Sequence, residues 1–120
     1  MTTNPSKELK TFKNPNPDRK YTITIDTDEF TALCPMTGQP DFAVMEIQYV
    51  PDQLCVELKS LKLYFWSYRN EGAYHEDVVN RICDDLVELL SPHYLKVSGD
   101  FNIRGGLRTL VEAEYSKDED

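Results

Sequence analysis

The stretch Cys34-Pro35-Met36-Thr37-Gly38-Gln39-Pro40-Asp41 holds a thiol and a carboxylate seven residues apart, with two prolines and a glycine between them. A deprotonated thiol is a strong nucleophile, and a carboxylate near it can carry the protons that covalent catalysis has to move. Pro35 and Pro40 exclude helix across the stretch and disfavour strand, so it reads as a loop. Pro35 also biases Cys34 towards extended backbone, which projects its side chain at a strand end. The same residues fit a buried structural cysteine beside a solvated turn aspartate. Taken alone, the loop favours that second reading.

The elements that must position this pair follow from periodicity. Tyr21–Asp26 alternates with Tyr21, Ile23 and Ile25 on one face, and Ala43–Val50 alternates with Met45, Ile47 and Tyr49 on one side. Pro51-Asp52 marks a turn before a shorter extended piece, Leu54–Leu58. From Ser60, read as an N-cap, to Arg69 the residues Leu61, Tyr64, Phe65 and Tyr68 share a helical face. A second helix is expected over His75–Leu90, with a buried stripe of Val78, Val79, Ile82, Cys83, Leu86, Leu89 and Leu90. Its residues Asp77, Asn80, Arg81, Asp84 and Asp85 read as solvated, and Ser91-Pro92 stops it. Tyr94–Ile103 and Leu107–Tyr115 form a hairpin across Gly105-Gly106, a pair suited to the positive φ angles of a two-residue turn. The expected fold is α+β in the order ββααββ: a four-stranded antiparallel sheet with two helices on one face. One sheet face is left over, so the edges and the N-terminal arm are expected to serve subunit assembly.

Composition narrows the function classes. With 120 residues the chain makes one domain. Residues 1–19, with Pro5, Pro15 and Pro17, read as an extended N-terminal arm, 20–116 as the domain, and 117–120 as an acidic tail. No apolar run has membrane-spanning length and the N-terminus lacks a signal-peptide core, so a cytoplasmic protein is expected. The net charge of −8 lowers the odds of direct nucleic-acid binding. Three cysteines without a Cys-x-x-Cys pair argue against a disulfide framework or zinc ribbon. With only His75 and His93 as histidines, no metal site is expected. Cys55 and Cys83 read as packing residues.

Glu57-Leu58-Lys59-Ser60-Leu61-Lys62-Leu63-Tyr64 matches a specific eight-position pattern, Glu-[Ser/Leu]-Lys-[Ser/Ala]-apolar-Lys-[Leu/Tyr]-aromatic. Together with the Cys34–Phe42 loop and Tyr74-His75-Glu76-Asp77, it resembles the QueF family of NADPH-dependent nitrile reductases over about Tyr21 to Arg108. The resemblance implies the tunnelling fold and reduction of 7-cyano-7-deazaguanine to 7-aminomethyl-7-deazaguanine, on the route to the tRNA base queuosine. It implies that Cys34 is the nucleophile that forms a thioimide and that Asp41 is the acid–base residue. Glu76 would bind the amidine edge of the base, with His75 beside it. Glu57, Lys59, Ser60 and Lys62 would serve NADPH, the lysines through its phosphates, and Arg104 and Arg108 are further candidates for phosphate contacts. It implies a homo-oligomer of stacked pentameric rings, the assembly of the short members.

No Lys, Arg or His neighbours Cys34 in sequence, so its activation is expected from tertiary partners. The chain lacks the Gly-x-Gly-x-x-Gly of a Rossmann site. Two other readings remain open. One is the related archaeal amidinotransferase group, which acts on the nitrile within tRNA without NADPH. The other is a non-catalytic ring-forming ligand-binding protein.

Overall fold

The computed structural model describes residues 4–117, the side chain of Arg104 excepted; Met1–Thr3 and the acidic Asp118–Asp120 lie outside the described residues. The elements are β1 (Thr11–Lys13), β2 (Ile23–Leu33), β3 (Pro40–Val50), β4 (Leu54–Val56), α1 (Leu58–Trp66), α2 (His75–Leu90), β5 (Tyr94–Arg104) and β6 (Leu107–Ser116). β2-β3-β5-β6 form a four-stranded antiparallel sheet. β1 and β4 form a separate antiparallel ribbon.

Alternation explains the sheet. The register aligns Ile25, Ile47, Val97 and Ala113 across all four strands, and Ile23, Tyr49, Leu95 and Tyr115 one row further. These rows face the helices, with α2 packed on β5 and β6 and α1 against β2. The intervening rows, such as Asp26, Glu46, Ser98 and Glu112, face away from them. That outer face carries cross-strand polar pairs, including Lys96 with Glu112 and Tyr94 with Glu114.

β2 runs seven residues beyond the stretch whose alternation marks it in the sequence. A bulge between Thr27 and Phe30 shifts the inward positions from Ile23 and Ile25 to Phe30 and Ala32. An extra residue in one strand breaks a period of two without ending the ladder. β3 likewise begins at Pro40, so Asp41 is a strand residue opposite Ala32 and not part of the turn.

The helices bury the faces their spacing marks. Leu61, Tyr64, Phe65 and Tyr68 are buried, as are Val78, Val79, Ile82, Cys83, Leu86 and Leu90; Leu89 is only partly covered. α1 starts earlier than expected. Its N-cap is Glu57, whose two carboxylate oxygens accept the N–H groups of Lys59 and Ser60. Those bonds hold the Glu57 carboxyl below its usual range. Ser60 does not cap the helix: its hydroxyl accepts from Lys10 N–H and donates to Glu57 C=O. It thereby ties the arm to α1. Asn14 anchors the arm further on, donating to the Asp52 carbonyl and accepting from Tyr21 Oη.

Between the helices, Tyr64 Oη donates to Asp85 Oδ2 at 2.6 Å and lies 3.0 Å from Tyr68 Oη. Asp85 is therefore tied to the core and not simply solvated. Burial, together with that carboxylate, drives the Tyr64 phenol far above its ordinary range. Replacing Tyr64 by Phe removes one donor and leaves Tyr68 with a lost partner. We expect a loss of about 1–2 kcal/mol in denaturant-unfolding free energy; an unchanged midpoint would show that water replaces these bonds at no cost.

Candidate active site

Cys34–Gln39 is the tip of the β2–β3 hairpin, because Leu33 pairs with Pro40 at its base. Cys34 N–H donates to Gln39 C=O and Gly38 N–H to Cys34 C=O, both at 2.8 Å. Gly38 has φ +73°, a left-handed conformation that glycine adopts without strain. The hairpin register thus sets Cys34 and Asp41 on adjoining strand ends.

A second segment is bound to that end. Leu33 N–H donates to Glu71 C=O and Leu33 C=O accepts from Ala73 N–H, each at 3.0 Å. This short parallel bridge delivers Tyr74, His75 and Glu76, at the start of α2, to the hairpin tip. Cys34, Pro35, Asp41, Ala73, Tyr74, His75 and Glu76 line one cavity of ≈ 180 Å³. Four expected site residues, Cys34, Asp41, His75 and Glu76, therefore meet in one place.

Asp41 is 9% exposed and its Oδ2 lies 3.2 Å from His75 Nε2. The His75 imidazole stacks on Phe101, with centroids 3.8 Å apart and planes 6° from parallel. Cys34 is partly exposed, while Cys55 and Cys83 are buried. A hydrogen bond from the Thr37 hydroxyl, with N–H groups of Met36 and Thr37, holds the Cys34 thiol below its ordinary value. Partial burial and the Asp41 charge work against this. These lowering contacts come from inside the loop, where tertiary partners were expected. Thr37 was legible as a donor three residues from the thiol; Phe101 offered no signal beyond its inward position on β5.

The other candidates lie elsewhere. Glu57 and Ser60 are engaged in starting α1, whereas Lys59 and Lys62 are exposed three residues apart on one side of it. Lys62 lines a groove of ≈ 340 Å³ with Leu58, Leu61, Phe65, Trp66 and β2 residues that include Asp26 and Glu29. Its ammonium sits 5.0 Å from the Trp66 ring centre. This groove shares no lining residue with the Cys34 cavity. Arg108, a further candidate for phosphate contacts, forms a two-pronged bond to Asp100, at 2.9 Å on each arm. The Arg104 side chain lies outside the described residues.

A hairpin-tip thiol, a buried carboxylate and a helix-borne His-Glu pair on an α+β sheet define a cysteine–carboxylate site of the kind that performs covalent catalysis. Residues 40–120 match the family model described as QueF-like protein. The chain is 63% identical over 117 residues to the NADPH-dependent 7-cyano-7-deazaguanine reductase of Thermomicrobium roseum, covering 98% of this chain and 91% of that protein. It is 57% identical over 115 residues to the protein of that name from Halorhodospira halophila, covering 96% and 98%. A solved structure described as the archaeosine synthase QueF-Like in the apo form has a TM-score of 0.74, covering 82% of this chain and 96% of that one. At 21% identity that likeness speaks for the fold alone. The chain belongs to the QueF family.

The loop bonds set a sign for pH dependence. A thiol pKa below the ordinary value means more thiolate at neutral pH, so the alkylation-rate curve of Cys34 should rise at lower pH than that of a free cysteine. Thr37→Val should move the curve up in pH. Asp41→Asn, which removes an opposing charge, should move it down. Iodoacetamide rates read by mass spectrometry across pH test both; shifts of the opposite sign would refute this account of the thiol.

Proposed function

We propose that this protein reduces the nitrile of 7-cyano-7-deazaguanine to the aminomethyl product with NADPH, a step towards queuosine. The observation that carries this is the union of Cys34, Asp41, His75 and Glu76 in one cavity, in a chain so similar to reductases of that name over nearly its whole length.

A nitrile carbon is electrophilic but resists direct reduction. The Cys34 S–H adds across the C≡N bond: the Sγ–C bond forms, and the proton reaches the nitrogen through Asp41, giving a thioimide. NADPH, when bound, supplies the hydride equivalents, one for each of two reductions. After the first, the C–S bond breaks, Cys34 leaves as thiolate and an imine remains. His75, bonded to Asp41, moves the proton needed in that stage. Glu76 accepts the N–H groups of the base's amidine edge, which fixes the carbon near Cys34 and discriminates against bases without those donors. Keeping water from the imine is part of the task, since an imine hydrolyses.

The cations of α1 suit the phosphates of NADPH. Lys59 and Lys62 offer two exposed ammonium groups for phosphates, and the groove that Lys62 lines offers an apolar wall that includes Trp66. Asp26 and Glu29 on its rim oppose a polyanion, which favours phosphate contacts on the lysine side. Since this groove and the Cys34 cavity have no wall in common, we read the working site as completed by a neighbouring subunit in a ring assembly. Among the described residues no helix is long and apolar enough to cross a membrane.

Loss of NADPH absorbance on mixing with 7-cyano-7-deazaguanine tests the reading. We expect consumption approaching two NADPH per nitrile, none with Cys34→Ala, and a covalent adduct on the wild type when NADPH is withheld. Lys62→Ala should raise the KM for NADPH about tenfold while leaving the adduct intact. No consumption by folded protein with reduced thiols would overturn the reductase, and nitrile-bearing tRNA would be the next substrate.

A further inference from the structure

Gly99, on the helix-facing side of β5, needs no special backbone conformation: its φ is not positive. What it lacks is room. A Cβ there would lie 2.8 Å from Val79 Cγ2 and 2.9 Å from Phe101 Cε2, well inside the roughly 3.5–4.0 Å of comfortable carbon contact. Both neighbours lead to His75. Val79 is fully buried on α2, four residues after His75 and on the same face of the helix. Phe101, 1% exposed, carries the imidazole on its ring.

We propose that Gly99 and Phe101 are positioning residues for His75. The bare strand position lets the Phe101 ring lie under α2, and the parallel stack fixes the plane of the imidazole. With the plane fixed, rotation about the outer side-chain bond is reduced to two settings, and Asp41 Oδ2 takes the one that presents Nε2. The ring row on β5 also reaches the acid: Phe101 pairs with Ala43, two residues from Asp41 on the same face of β3. Neither Gly99 nor Phe101 lines the Cys34 cavity; they act through His75. The catalytic consequence rests on the function proposed above, whereas the stack itself does not.

The chain has two histidines, His75 and His93, so ¹³C-labelled histidine gives two sets of ring signals, assigned with His93→Gln. In the wild type the His75 ring protons should be shifted upfield by the Phe101 ring current. Phe101→Leu should abolish that shift and Gly99→Ala should reduce it. Both should lower kcat about tenfold or more, with KM for the nitrile nearly unchanged and Cys34 alkylation as in the wild type. Ordinary His75 shifts in the wild type would overturn the platform outright. So would wild-type kcat in a folded Phe101→Leu protein. A fall in KM-side affinity and thiol reactivity together would reassign the pair to core packing. If Phe101→Leu does not fold, the wild-type spectrum and Gly99→Ala decide; if the wild type reduces no nitrile, the spectra alone decide.

Discussion

The two backbone hydrogen bonds on Leu33 decide where chemistry is possible in this chain. The hairpin register brings Cys34 to Asp41 with no outside help, since the strands on either side of the loop pair up to Leu33 and Pro40. His75 and Glu76 come from more than thirty residues further on, after β3, β4 and α1. The backbone bridge from Leu33 to Glu71 and Ala73 joins that segment to the strand end, and the His75–Asp41 contact lies beside it. Each bond contributes about 1 kcal/mol, which is small, but together they set direction as well as distance. A parallel bridge ending at Ala73 leaves α2 starting beside the thiol, with its first turn over the cavity.

The bridge is backed by charges that matter more for geometry than for stability. The Glu71 carboxylate lies between Lys7 of the arm and Arg81 of α2, and both cations also lie against the Tyr68 ring. These groups are more than a third exposed, so their pairing contributes little free energy. Their value is that arm, bridge and helix converge on one residue. Behind them Tyr68 and Tyr64 are buried, with Tyr64 bonded to Asp85. Burial pushes the Tyr68 phenol up, so both stay neutral hydrogen-bonding groups at any physiological pH.

Much of the fold was legible because its signals are local. The α2 boundaries follow from a buried stripe of period 3.6 and the Ser91-Pro92 stop, and the Gly105-Gly106 turn from the need for positive φ, seen at +60° and +81°. What escaped is what period alone cannot carry. A bulge changes the phase of β2, so the strand appears to end where it only shifts. Pro40 suggests a turn but stands at the first position of a strand, where its missing N–H is tolerated, and Asp41 follows it into the sheet. Ser60 is the commoner capping type, yet Glu57 reaches two of the free N–H groups and Ser60 turns to the arm. At the site, the residue types were visible and their support was not. Thr37 acts through a loop conformation, and Phe101 through a stack that exists only once β5 meets α2.

The Glu57–Lys62 string shows how one pattern can serve two ends. Its residues at spacing three divide into two sets. Glu57 and Ser60 build the helix start, with the carboxylate on two N–H groups and the hydroxyl on the arm. Lys59 and Lys62 are thereby held on the exposed side of that helix, and Lys62 lines the Trp66 groove. A motif read only as a list of cofactor contacts would assign all four to the ligand. The geometry instead makes two of them the frame for the other two. Under the proposed reading that division has a consequence for assembly: Lys62 and the thiol line separate cavities of one chain, so a hydride donor held by the lysines would reach a carbon on Cys34 most directly from an adjoining copy. β2 and β6 are the edge strands of the sheet, and apart from the Leu33 bridge no strand among the described residues pairs with their outer sides. On this view the small cavity around Cys34 would be one part of a site that a neighbouring chain completes.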